Sequence, residues 1–173
     1  MEVSNSIQKA MAEAMQLIQD GLRNELVQQG HRLTGGLADS MEITYSKDGE
    51  TLRGHIQARD YAVYVDAGVA PNRVRYPIRV MIEYFILRGL PRKEATSAAY
   101  ATRAVHRRDG IPSRGSYRYS LNGHRKGFIS RGVRSVLDSV QDAFEKALGA
   151  SVEVEIQSIF TPGREPIKMS LSL

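Results

Sequence analysis

The chain has 173 residues, 42% of them hydrophobic and 25% charged, a composition that suits one soluble domain with a modest core, since a domain typically takes about 100–200 residues. With no cysteine and four scattered histidines it excludes disulfides, thiolate metal sites and cysteine nucleophiles, and it offers little material for a zinc site. The net charge of +5 is uneven: residues 103–134 hold nine Lys or Arg against one acid, Asp109, so this segment is +8 and the remainder −3.

From Ser4 to about Gly30, Ile7, Met11, Ala14, Met15, Ile18, Leu22 and Leu26 recur at spacings of three and four, which places them on one face of a long helix. Asn5 with Gln8 reads as a capping box at its start and Gly30 as its stop. The opening MEVSNSIQKAM lacks a basic stretch followed by an apolar one, and no apolar run approaches the roughly 18 residues of a membrane span. The expectation is a chain that stays in the cytoplasm where it is made.

Next comes TGGLADS, in which Gly35 and Gly36 turn the chain from helix to strand, Leu37 anchors the turn and Ser40 bonds nearby backbone. Met41, Ile43 and Tyr45 then alternate with polar residues, SKDGE supplies a turn, and Leu52, Gly54, Ile56 and Ala58 alternate again, as in a β-hairpin with one buried face. In RDYAVYVDAGVAP, Tyr61, Tyr64 and Val65 share a face of a short helix, with the rings capping the open end of the sheet.

In YPIRVMIEYFILRGL, Ile78, Met81, Ile82, Phe85 and Ile86 form one helical face; Gly89 and Pro91 break it, and Ala95, Ala98, Ala99, Thr102 and Val105 build a second. The pair predicts an αα-hairpin. Asp109 to Gly127 has no apolar periodicity, which in a stretch this long marks a functional loop or one without fixed structure. Val133, Val136, Leu137, Val140, Phe144, Ala147 and Leu148 then predict a helix with Ser130 as N-cap and Gly149 just past its end, and Val152, Val154 and Ile156 a strand extending the hairpin's sheet.

The fold class is therefore α+β: a long N-terminal helix and a C-terminal helix packed on a small antiparallel sheet of hairpin plus C-terminal strand, with an inserted αα-hairpin and basic loop. The whole chain, 1–173, reads as one domain with its core in 5–76 and 127–160, an insertion over about 77–126 and a tail over 161–173.

The candidate contact residues are Arg107, Arg108, Arg114, Arg118, Arg125, Lys126 and Arg131, interleaved with Tyr117, Tyr119 and Phe128. Such a set meets a phosphate backbone and stacks on bases, or else pairs with an acidic protein neighbour or simply faces solvent. The face of residues 92–108 is mostly Ala, Ser and Thr, poor material for reading base edges. HRRDG at 106–110 lacks the glycine-rich loop, strand Lys and metal-binding Asn of a kinase, no G-x-S-x-G elbow is present, and His31, His55, His106 and His124 are not spaced as paired ligands. No catalytic, cofactor-binding or metal-ligating set emerges, so the expectation is a protein that is not an enzyme.

The order of RLTGGLADSM, a hairpin, DYAVYVDAG, GFISRGVRSVLDSV and a closing strand resembles the head-to-tail joining family of tailed bacteriophages, the neck or tail-completion proteins. The family's T-G-x-L-x-x-S pattern matches Thr34, Gly35, Leu37 and Ser40; its Y-x-x-Y-x-(E/D)-x-G pattern matches Tyr61, Tyr64, Asp66 and Gly68; its Gly-Phe opening of the last helix matches Phe128, followed by Ile129. The chain departs from the shorter members between about Pro77 and Lys126, an insertion whose RRDGIP is similar to an R-x-G-I-P segment of some phage proteins. The resemblance implies a structural virion protein at the head–tail junction, assembled in the host cytoplasm. It implies ring-like self-association, docking to portal, adaptor or tail proteins, no cofactor, no membrane and no catalysis, with the basic segment facing DNA or an acidic partner. The alternative expectation is a small cytoplasmic protein that binds nucleic acid without regard to sequence.

Overall fold

The computed structural model describes residues 2–31, 33–49, 51–148, 155–159 and 168–172. Helix α1 (Glu2–Gln28) is the central element, and its face of Met11, Ala14, Met15, Ile18, Leu22 and Leu26 is buried to the last atom or nearly so. Ile7, at the start of the same stripe, is only half-buried. The helix begins before Asn5, so the expected capping box does not mark its start.

Strands β1 (Glu42–Asp48) and β2 (Thr51–Gln57) pair antiparallel from Glu42 opposite Gln57 to Asp48 opposite Thr51, the predicted hairpin. Its inner face is closed by Met41 and Ile56, with Ile43, Leu52 and Ala58 packed around them, and Gly54 leaves room for the Met15 side chain of α1. Tyr45, opposite Gly54 and expected on the buried face, stays exposed.

Helix α2 (Ala62–Ala67) follows. The expectation that Tyr61 and Tyr64 cap the sheet is overturned: they are 42% and 63% exposed, and the inward side is Ala62 with Val65. Ala62, Val65 and Asp66 lie at i, i+3 and i+4, so helical geometry turns Tyr64 away from them.

Helices α3 (Ile78–Leu87) and α4 (Arg92–Asp109) form the predicted αα-hairpin and pack chiefly on each other, with Ala95 and Ala99 of α4 fully buried. Ile86, expected on the inner face of α3, is exposed instead. After a 3₁₀ turn over Arg114–Tyr119, the last predicted helix arrives as two: α5 (Phe128–Arg134) and α6 (Leu137–Leu148). Ser130 is not the N-cap; Gly127 is, in the left-handed conformation, and Phe128 enters the core at the first position. The break follows from Ser135, whose hydroxyl donates to the Gly132 carbonyl at 2.8 Å, while the Val136 N–H takes the tighter bond to Val133 at 3.1 Å.

Both α5 and α6 pack on α1. Where α1 meets α5, Gly21 and Gly132 bring the backbones together: a Cβ on Gly132 would stand 2.9 Å from the Gly21 carbonyl oxygen and from the Leu22 Cα. Neither glycine stands out in the sequence, because no local pattern announces a crossing between segments 111 residues apart.

Strand β3 (Glu155–Ile159) pairs antiparallel with β4 (Lys168–Ser172), and β4 runs alongside β2. The predicted closing strand thus pairs with a strand in the predicted tail, rather than with the first hairpin. Gly149, Val152 and Val154 lie outside the described residues. The architecture is α+β, helices on small antiparallel pairs of strands. Every member of the main hydrophobic cluster comes from residues 10–62 and 128–144, and none from 77–126.

Candidate nucleic-acid and partner interface

The C-terminal end of α1 organises the basic segment. A helix ends with carbonyls that lack intrahelical donors, and here residues 120–126 lie across that end and supply them. The Gln28 carbonyl accepts from the Leu121 N–H at 2.7 Å and the Ser120 hydroxyl at 3.2 Å, and the Gln29 carbonyl accepts from Arg125 Nη1 at 2.6 Å. Gln29, fully buried, donates from Nε2 to Glu25 Oε1 at 2.9 Å and to the Lys126 carbonyl at 3.0 Å. Gly30, at φ +69°, permits this approach, since any Cβ there would collide with the Tyr119 carbonyl.

His31 completes the strap by donating from Nε2 to the Arg125 carbonyl at 3.2 Å. Burial, with the Arg125 charge adding to it, pulls its pKa down to about 4. The imidazole is therefore neutral near pH 7 and carries its proton on Nε2, because a carbonyl can only accept.

The seven candidate residues divide by what already holds them. Arg125 is half-buried, with its pKa lowered by burial, and it serves the α1 carbonyls rather than the surface. Arg108 is exposed but engaged in a two-point ion pair with Asp109 at 2.6 and 2.9 Å, which lowers the Asp109 pKa and offsets the charge. Lys126 is exposed at its side chain while its carbonyl is held by Gln29, and Arg131 donates to Nδ1 of His124 at 3.0 Å. Arg107, Arg114 and Arg118 are exposed without a carboxylate partner among the described residues.

Arg118 lies 4.9 Å from the centre of the Tyr119 ring and donates to its hydroxyl at 2.8 Å. Arg88 lies between the rings of Tyr119 and Tyr84, 5.7 and 5.3 Å from their centres. Tyr117 and Tyr119 are exposed. The result is an arginine–tyrosine platform with cationic faces open to solvent, chemistry that suits a polyanion or an acidic protein surface. Phe128 does not join it, being wholly inside the core. A cleft of about 390 Å³ beside Glu25 adds Arg131, Arg134, Ser130 and Ser135 to the basic side of α5.

The motif positions form a second constellation. Gly35, at φ +79°, accepts the Asp39 N–H at 2.9 Å, Thr34 Oγ1 accepts the Gly36 N–H at 3.4 Å, and Leu37 is buried. Ser40 donates to the Leu37 carbonyl at 2.8 Å and accepts the Arg59 N–H at 3.2 Å, tying the turn to the end of the hairpin. Asp66 joins α2 to α5: its carbonyl accepts the Gly127 N–H at 2.9 Å and its Oδ1 the Ile129 N–H at 2.8 Å, so it caps α5 from a distant position. Burial raises the Asp66 pKa and the Ile129 bond opposes that rise. Gly68, at φ +77°, admits the Ile111 carbonyl and the Lys126 side chain where a Cβ would clash.

Sequence reasoning missed Arg88, Gln29 and His31. Gln29 carried a signal, since it continues the apolar stripe three residues after Leu26 and so places an amide where the core expects a hydrocarbon. Among the described residues, no His, Asp and Glu side chains gather in threes as a metal site would require, and no helix is long and apolar enough to cross a membrane. Comparisons with protein-family models, with curated proteins and with solved structures each find no match.

Proposed function

We propose that this chain is a structural protein of a tailed-bacteriophage virion, placed at the head–tail junction after assembly in the host cytoplasm. It acts there without catalysis, by ring-like self-association and by docking to portal, adaptor or tail proteins. The observation that supports this most is the joint at Asp66. Two segments that carry the resemblance, DYAVYVDAG and GFISRG, lie about sixty residues apart in the chain and meet through the bonds from Gly127 and Ile129 to Asp66. The motif order thus corresponds to one mechanical unit of the fold, as it would in a family that shares an architecture rather than an active site.

The basic segment contributes contact with DNA or an acidic neighbour through Arg107, Arg114 and Arg118, which are exposed and in no ion pair among the described residues. The test is electron microscopy of the purified chain, alone and with phage particles that lack it. Rings of defined stoichiometry and density at the portal or tail joint are the expected result; particles that assemble and retain their genomes without it overturn the reading.

The exposed arginine–tyrosine platform favours a second reading, a small sequence-independent nucleic-acid-binding protein. That reading predicts binding by the monomer whose affinity falls steeply with salt. A flat titration at low salt removes it.

A further inference from the structure

Helix α3 is the most apolar helix of the fold, with eight apolar residues in ten, yet none of them is fully buried. Helical spacing separates its two sides. Ile78, Met81, Ile82 and Phe85, all half-buried, form the side turned to α4, and Val80, Tyr84 and Leu87 form the other at intervals of four and three. Val80 is 49% and Leu87 63% exposed. Tyr84 leads from this stripe into Arg88 and the exposed Tyr119. Aliphatic anchors beside tyrosine and arginine are the composition of interface centres, and a helix this apolar is built to be covered.

Charge indicates what covers it. Residues 77–126, which include α3, carry eleven Lys or Arg against three acids, a net +8, so the rest of the chain is at −3. On the outer face of α6, Asp138 and Asp142 are exposed and make no ion pair among the described residues. The molecule thus carries an apolar and cationic surface on one part and, on α6, a stripe of Asp138 and Asp142 ending in Lys146 that stays net anionic on another.

We propose that the outer face of α3 docks on a second copy of this chain, against the acidic outer face of its α6. The two surfaces differ, so the contact is head-to-tail, and its repetition closes into a ring wherever the rotation between copies permits. The apolar stripe provides the buried area and the opposed charges steer and orient the approach, which makes association weaken with salt. The proposal rests on the self-association reading above and specifies the surface that performs it.

The experiment uses the full chain in sedimentation velocity and light scattering over a range of concentration and salt. The variants are Val80→Glu with Leu87→Glu, to disable the docking stripe, and Asp138→Lys with Asp142→Lys, to disable its receiver. All positions are exposed, and unchanged circular dichroism and melting temperature verify the fold. Wild type is expected to form species larger than a dimer, each double variant to associate roughly tenfold or more weakly, and an equimolar mixture of the two to stop at a 1:1 dimer through its one intact contact.

Wild type that stays monomeric overturns the self-association reading itself. Wild type that assembles while the V80E/L87E variant assembles equally well overturns this inference alone. Loss through V80E/L87E with no loss through D138K/D142K removes α6 as the receiver. Loss of DNA binding in V80E/L87E with assembly intact makes the stripe a nucleic-acid surface and also overturns the inference.

Discussion

The flanks and the middle of this chain spend their apolar residues differently. Residues 10–62 and 128–144 turn theirs into one continuous cluster in which Phe128, Phe144, Met11 and Ile18 lose all or nearly all contact with solvent. Residues 77–126 contain the most apolar helix and bury only Ala95, Ala99 and a few neighbours. The flanks hold their own structure by packing, whereas the middle is tied on by polar and aromatic contacts. These are the Asn72 N–H to the Arg107 carbonyl at 2.8 Å, the pairing of Val69 with Ile111, the Tyr76–His106 hydrogen bond at 2.9 Å, and the strap over α1. Hydrophobic content alone therefore does not identify a core; the number of surrounding elements does.

The contrast is broken most directly by truncating one residue from each region. Phe144→Ala, inside the cluster, should cost about 3–5 kcal/mol, while Leu87→Ala on α3 should stay within about 0.5 kcal/mol in the isolated chain. Urea unfolding of the two variants checks both. Similar losses would mean that α3 is covered within its own chain.

A smaller effect is expected where the flanks touch backbone to backbone. Gly132→Val places atoms against Gly21 and Leu22 with nothing flexible to yield, and should cost about 1–3 kcal/mol, read as a fall in melting temperature. Gly123→Ala is a poorer control despite its open surroundings, because its φ of +75° strains any side chain; Gly115→Ala, with open space and ordinary φ, is the better one.

The smallest expected effect sharpens the view of the strap. His31 titrates at about 4 in the fold against 6.5 in the unfolded chain, so the unfolded state binds its proton first as pH falls. The neutral imidazole's contribution is intact above 6.5 and is lost progressively as pH falls from there to about 4. His31→Gln keeps a donor for the Arg125 carbonyl and should flatten that part of the curve of unfolding midpoint against pH.

Much of this fold is legible in the sequence, because helices and strands with one dry face write their periods into it. The stripe from Met11 to Leu26, the alternation around Ile43 and Ile56, and the pair of helices around Gly89 all appear where their spacing places them. Features made by distant partners are not legible. Arg125 and Arg114 look alike along the chain, and only the carbonyl of Gln29, 96 residues from Arg125, makes the first a structural cap while the second stays exposed. Tyr61 and Tyr64 share a helical face with Val65 in the sequence and so read as inward, but the small Ala62 takes the side against the core. Ser135 divides the last helix through one hydroxyl bond that hydrophobic spacing does not register. At the candidate interface the sequence marks where cations are dense, and the structure marks which of them are already occupied.

The strap across α1 also sets how the molecule carries load. The chain leaves the αα-hairpin, crosses the end of α1 and starts α5, so a pull on the hairpin reaches the bonds from Leu121, Ser120 and Arg125 to Gln28 and Gln29 before it reaches the packed helices. Those bonds lie side by side on a short segment and resist together, like rivets along a seam. Tension shared with the ties at Val69, Asn72 and Tyr76 thus meets the end of the longest helix ahead of the hydrocarbon contacts behind it.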